Sequence, residues 1–301
     1  MILRRRRATL TIIVIGYEMA RELPRTVRSL CRPYQQGVDD LNYEIVVVDH
    51  GSPTPLNLSV VESIGDNVRC VRYTSAVPSP APGINRALAE TRSEYVGIVL
   101  DGARMVTPGV LALARQAFAL GDDALVAVLG WHLGPGFQNE SVLEGYGPDA
   151  EDALLDGIEW PADGYRLFEI ASLAKSNRDG IFGRMFEAPF VLGRRSHFER
   201  IGAYDERFVT RGGGLVNPEF FGRAVAQSQL VVLLGEGSFH QVHGGATTNA
   251  EDLQQQLKVF YREYRRIFGK RYEPPQIDPS YFGRLPLAAR RFIDAPVVPS
   301  G

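Results

Sequence analysis

The sequence predicts an α/β protein: a mixed, mostly parallel sheet flanked by helices, with an irregular insertion and a C-terminal amphipathic helix. Three observations carry that expectation. Apolar, β-branched runs alternate with helical patterns four times in the first 120 residues, the rhythm of parallel strands joined by right-handed crossovers. Two of those runs end on an acid, Asp49 after residues 44–48 and Asp101 after residues 95–100, as strands do when they deliver carboxylates to one edge of an open sheet. The chain has 301 residues, enough to bury a substantial core.

Residues 10–16 (LTIIVIG) read as the first buried strand, ended by Gly16. Leu23, Val27, Leu30 and Cys31 then recur on one helical face. The strand EIVVVD runs into a tight turn at Gly51-Ser52, and residues 68–73 form a weaker strand. A Pro-rich loop at 78–83 precedes a short helix at 84–91, and the strand ending at Asp101-Gly102 follows. Thr107-Pro108 has the chemistry of an N-cap and first helical residue, so a helix is expected over 108–120 with Gly121 as its stop. Residues 125–129 are another buried strand.

Between 130 and 175 Gly, Pro and acidic residues show no period, which predicts a long, partly irregular insertion over a site. Order resumes with FVLGRRSHFERIGAYDERF, RGGGLVNPEFFGRA and a strand at 230–234, followed by His240 and His243. Thr248-Asn249-Ala250-Glu251 is a capping box that opens the clearest helix, with Leu253, Leu257, Phe260, Tyr264, Ile267 and Phe268 on one stripe. Its far end carries Lys258, Arg262, Arg265, Arg266, Lys270 and Arg271, which suits either a docked terminal helix or a peripheral contact with an anionic membrane. From Pro274 the chain is Pro-rich and expected to run over the surface.

A formal charge of −2 gives nucleic acid no claim as the main partner. Cys31 and Cys70 fit no metal spacing and need no disulfide, which points to a reducing compartment. No apolar run approaches the ~20 residues of a spanning helix. The basic start MILRRRR has no apolar segment of signal-peptide length behind it, and the sequon at Asn139-Glu140-Ser141 is then a chance match. A cytoplasmic protein is expected, with the inner membrane face as the alternative.

Four of these segments, in order, resemble the family 2 glycosyltransferases of the Rossmann-like GT-A fold over about residues 10–270. TIIVIGYEMARELPRTVRSL resembles the family's first strand and helix, with Tyr17-Glu18 where a Tyr-Asn pair is common. EIVVVDHGS resembles its Val-Val-Asp-Asp-Gly-Ser block. Asn85-Arg86-Ala87 with EYVGIVLDGA resembles the strand that leads to the Asp-x-Asp motif, and FVLGRRSHFERIGAYDERF resembles the segment before the catalytic region. The resemblance implies a single domain over 1–283, with a nucleotide-binding half at about 8–104, an acceptor and catalytic half at 105–283, and a tail at 284–301. It implies an inverting transfer of a sugar from a nucleoside-diphosphate donor to an acceptor hydroxyl. By the same mapping Asp101 holds Mn²⁺ or Mg²⁺ against the diphosphate, and Asp49 accepts from the base or ribose. Gly16, Tyr17, Glu18, Gly51 and Asn85 would line the nucleotide pocket, and Arg194 and Arg195 would contact diphosphate or acceptor.

Two departures stand out. Ala103 replaces the second metal-site acid, which leaves a cation Asp101 and an imidazole of His240 or His243. Alignment on Arg223 puts Asn217 at the base position, and an amide cannot take a proton. Glu219 is the carboxylate of that block and the expected base, unless it pairs with Arg223 one turn on. Gly212-Gly213-Gly214 reads as a hinge or as backbone surface for a sugar. The alternative is a nucleotide- or glycan-binding protein without turnover. A nicotinamide oxidoreductase is excluded, because Gly-Tyr-Glu-Met-Ala follows the first strand where Gly-x-Gly-x-x-Gly is needed. The sequence leaves a homo-oligomer open.

Overall fold

The computed structural model describes residues 8–54, 56–75, 77–245 and 253–293. The basic start at 1–7 and the capping box at 248–251 lie outside the described residues. Strand β1 (Leu10–Gly16) is buried along its whole length and leads to helix α1 (Leu23–Leu30). Strand β2 (Tyr43–His50), helix α2 (Leu58–Glu62) and strand β3 (Val68–Tyr73) follow. Helix α3 (Ala81–Glu90) begins three residues before the expected Ile84, because Pro80 and Pro82 sit at the helix start, where a missing N–H costs nothing. Strand β4 (Tyr95–Val99) then pairs with β1, so β4, β1, β2 and β3 run parallel in that order.

Period-2 alternation divides these strands between two cores. Ile13, Ile15, Val46, Val48 and Ile98 pack on one face of the sheet, and Ile12, Val14, Ile45, Val47 and Val99 on the other. Both faces are covered, which is why the strands read as near-continuous apolar runs.

After Asp101 the chain makes a short strand, β5 (Arg104–Val106), that the sequence pattern does not announce. Helix α4 (Val110–Ala117) starts later than expected, with Gly109 at its N-cap, and passes into a 3₁₀ turn over Phe118–Leu120. Thr107 is no cap. Its hydroxyl donates to Glu236 and accepts from the Gly237 backbone N–H at 2.9 Å, which ties the corner to a later strand. Strand β6 (Ala124–Leu133) is twice the expected length and wholly buried.

The expected irregular insertion is largely ordered. It holds helices α5 (Gln138–Ser141) and α6 (Pro148–Ile158), a 3₁₀ segment at Gly164–Ile170 and strand β7 (Ala171–Leu173), which pairs with β6. Most of its elements are short and the buried face of α6 carries Glu151, which blurs the period, but Leu155, Ile158, Trp160, Leu167 and Phe168 are all buried.

Strand β8 (Phe190–Arg194) is antiparallel to both β4 and β6, with Phe190 opposite Val99 and Arg194 opposite Tyr95. Helices α7 (Arg195–Ile201) and α8 (Val216–Val225) follow. Strand β9 (Gln229–His240) runs far past the expected 230–234, because a register shift against β6 and a left-handed Gly235 (φ 81°) carry it around a bulge. Helix α9 (Leu253–Phe268) buries Phe260 and Tyr264 against the domain and leaves its cations outside. The segment expected on the surface instead adds strand β10 (Ser280–Gly283) beside β9 and buries Ala289 and Phe292. The full order is β10-β9-β6-β8-β4-β1-β2-β3, with β5 on β9 and β7 on β6. No described helix is long and apolar enough to cross a membrane.

Candidate functional site

The parallel strands all end at one edge of the sheet, and that edge floors a cavity of about 430 Å³. Ile15 and Tyr17 reach it from β1, His50 from β2, Asp101 from β4, His132 from β6 and His240 from β9. Pairing fixes who meets whom: His240 lies opposite Arg104 on one side and opposite His132 on the other. The Asp101 turn closes against β1, where the Gly102 N–H donates to the Ile15 carbonyl at 2.6 Å. A Cβ at Gly102 would stand 3.0 Å from that carbonyl oxygen, tighter than most real contacts, so glycine eases the close approach.

Asp101 divides its oxygens. Oδ1 accepts the Ala103 N–H at 3.0 Å and shapes the turn, while Oδ2 faces His240 Nε2 at 3.0 Å and His243 Nε2 at 3.3 Å. The two Nε2 atoms are 3.1 Å apart. His240 Nδ1 donates to Gln138 Oε1, and with the proton on Nδ1 the Nε2 lone pair is available to a cation seated between it and Asp101. Gln138 in turn donates its backbone N–H to His132 Nδ1 at 3.0 Å. Three lone-pair atoms therefore converge, and the group formed by Asp101, His240 and His243 has the spacing of a metal site, its ligand atoms lying within 4.8 Å of one another. The donor set fits a divalent cation that accepts both oxygen and imidazole.

The local electrostatics agree. Burial alone would raise the Asp101 carboxyl, but the neighbouring His243 and His240 hold it well below the usual carboxylate range. Burial and the nearby Arg104 guanidinium push His240 down to about 4, so it is a neutral imidazole near pH 7. Burial works against charge on His243 as well, yet the adjacent carboxylate outweighs it and raises that imidazole. Arg104 lines the cavity with Nε and Nη1 buried and without a hydrogen-bond partner. A guanidinium at the cavity wall with donors left unpaired is suited to an anionic ligand.

Opposite this floor, Gly212, Gly213 and Gly214 all hold positive φ (71°, 80° and 55°). A Cβ on Gly213 would lie 2.5 Å from Val216 and 2.9 Å from Pro80, so it is packed behind the wall, while Gly212 and Gly214 line the cavity. Arg211 stands 5.7 Å above the Tyr17 ring, and both line the cavity.

Of the residues expected at the site, Tyr17, Asp101, His240, His243 and Asn217 meet around this cavity. Gly16 is the last residue of β1, Gly51 turns the chain after β2 at φ 75°, and the exposed Glu18 faces Arg211 at 3.9 Å. Asp49 is fully buried, its Oδ2 accepting from Arg72 Nε at 2.9 Å, so the exposed Arg72 is the group that faces outward. Asn85 spends its amide on the 204–206 turn, exchanging bonds with the Tyr204 backbone and Glu206. Arg194 and Arg195 lie at the opposite edge, bound to Glu94 and Glu199, because antiparallel β8 carries its C-terminal end away from the cavity. Glu219 accepts twice from Arg223, both at 2.9 Å, and is absent from the described cavity lining.

The reversal of β8 brings its entry to the site in exchange. Glu187, three residues before the strand, lines the cavity and accepts from Asn217 Nδ2 at 2.7 Å. Sequence reasoning missed Glu187, Arg104 and His132. The one available signal, for His132, was that β6, like β9, continues past the expected strand end to a histidine.

The sequence matches the glycosyl transferase family 2 model over residues 11–201, well over half of its 301 residues. No curated protein matches it. Among solved structures, S. aureus TarS 1–349 in complex with UDP-GlcNAc is similar with a TM-score of 0.54 at 16% identity, covering 85% of this chain and 66% of that one. S. aureus TarS itself gives 0.52 at 15%, covering 86% and 43%, so this chain spans less than half of that length. The mannosyltransferase PcManGT from Pyrobaculum calidifontis, in complex with GDP-Man and Mn²⁺, gives 0.51 at 16%, covering 90% and 67%. Likeness at these identities establishes the GT-A fold, and the family match places the chain in glycosyl transferase family 2. The cluster of Asp101 and two histidines at the strand ends thus belongs to a family 2 glycosyltransferase.

Proposed function

We propose that the protein transfers a sugar, with inversion, from a nucleoside-diphosphate donor to an acceptor hydroxyl, using a divalent cation held by Asp101, His240 and His243. The observation that carries this reading is the convergence of those three ligand atoms beside the unpaired donors of Arg104. When bound, the cation neutralises the charge that grows on the departing diphosphate. Arg104 donates to the phosphate oxygens, the role first sought in Arg194 and Arg195. Tyr17 and Arg211 offer an aromatic face and a cation on the nucleotide side, and Asp49 acts indirectly by fixing Arg72.

Two imidazoles favour Mn²⁺ over Mg²⁺, which prefers oxygen alone. His243 also answers the missing acid at Ala103, which weakens the reading of a binding protein without turnover. On this proposal residues 8–104 form the nucleotide-binding half and 105–283 the acceptor and catalytic half, which also lends Arg211, His240 and His243 to the donor, within one domain. The neighbours' UDP-GlcNAc and GDP-Man complexes support the donor class.

Thermal unfolding with UDP, GDP, dTDP and CDP, each with and without Mn²⁺, tests it. One nucleoside diphosphate at ~100 times its dissociation constant is expected to stabilise the fold by roughly 2.7 kcal/mol when Mn²⁺ is present. Asp101→Asn is expected to abolish the Mn²⁺ dependence. A transition that no nucleotide moves overturns the proposal.

A further inference from the structure

We infer that Glu187 is the general base of the transfer and that Asn217 is its positioning residue; this rests on the proposed nucleotide-sugar reaction. Transfer with inversion needs one group to accept the proton of the attacking hydroxyl. Asp101 and Glu187 are the two carboxylates among the described residues that line the cavity. Asp101 is committed to the two imidazoles, which leaves Glu187.

Its bonding suits the task. Glu187 is half-buried, and Oε2 accepts the Asn217 amide at 2.7 Å while Oε1 has no partner among the described residues. Asn217 is 4% exposed and also leans on the Ala188 carbonyl at 3.4 Å, so its amide is fixed by the fold. It sits in the first turn of α8, and Glu187 lies two residues before Pro189, whose carbonyl accepts the Leu100 N–H at 3.1 Å. The base candidate and the Asp101 turn are therefore held to one frame. A carboxylate at 217 would oppose Glu187 as a like charge, whereas an amide donates to it. The position that lacks an acid in the sequence thereby supports an acid from a distant strand.

In the step, the acceptor oxygen bonds to the anomeric carbon, the bond from that carbon to the diphosphate oxygen breaks, and its electron pair leaves with the nucleoside diphosphate. The hydroxyl proton passes to the free oxygen of Glu187.

The test is release of UDP from UDP-GlcNAc and of GDP from GDP-mannose with Mn²⁺, water standing in for the acceptor. Donor binding and thermal unfolding are measured on the same samples. Glu187→Gln is expected to lower turnover by about 10²–10⁴-fold while nucleoside-diphosphate binding stays within about threefold. Asn217→Ala should lower turnover less, without moving the binding constant. The exchanged pair Glu187→Gln with Asn217→Asp returns a carboxylate to the same hydrogen bond, and is expected to recover at least tenfold over Glu187→Gln. That recovery separates a base from a merely structural residue. Wild-type turnover that survives Glu187→Gln overturns the role of Glu187 and leaves the transferase reading standing. Loss of binding in parallel with turnover overturns it too. If the wild type binds donor but releases no nucleotide, the transfer and the base both fall.

Discussion

At the scale of single residues, Asp101 shows how one side chain serves fold and chemistry together. One oxygen closes the turn after β4 through the Ala103 N–H, and the other gathers His240 and His243. Glu219 shows the opposite outcome. Its carboxylate is consumed by Arg223, which also donates to the Ile201 and Ala203 carbonyls, so the pair joins α8 to the end of α7. Glu219→Ala is expected to cost ~1–2 kcal/mol in urea unfolding, the usual loss when a half-buried charged donor keeps only part of its bonds. Donor binding should be unchanged. A loss of binding without a loss of stability would return Glu219 to the site.

At the scale of elements, the direction of β8 decides the site. Its pattern, a short apolar run ended by two arginines, reads the same whichever way the strand lies. Antiparallel pairing sends Arg194 to the Tyr95 end and leaves Glu187 at the cavity. Gly97 lets β4 sit closely between β1 and β8: a Cβ there would be 2.7 Å from Ile12 and 2.9 Å from Phe190. Gly97→Ala is therefore expected to overpack the sheet by on the order of 1–3 kcal/mol, read as a lower melting temperature. The same change should loosen donor binding, because Asp101 lies just past the displaced strand. An unaltered melting temperature would mean that Ile12 and Phe190 move aside freely.

At the scale of the whole molecule, the segment after α9 belongs to the body of the protein. Strand β10 extends the sheet beside β9, and Phe292 packs edge-on against Trp131 at 6.1 Å, with Arg291 donating to carbonyls of the 168–171 segment. Trp131 lies one residue before His132 on β6, so this packing buttresses the cavity floor from behind. Phe292→Ala is expected to destabilise the fold by ~3–5 kcal/mol, the cost of emptying a large aromatic site. Chemical denaturation checks it, and a change under 1 kcal/mol would place the segment on the surface after all.

What the sequence determined by itself is local. Apolar runs set β1, β2 and β4, and the acid after β4 marked the site edge, because burial on both faces leaves an unbroken hydrophobic signature. His240 and His243 were legible through the family resemblance, as the imidazoles that follow the last strand read at 230–234. Tertiary structure alone decided which groups meet. Strand direction, the bulge that lengthens β9 and the pairing of β5 are set by contacts between residues far apart in the chain, and no short window of sequence contains both partners. Arg104, His132 and Glu187 carry no motif of their own. They become a site only when β5, β6 and the entry to β8 are laid against the ends of β4 and β9.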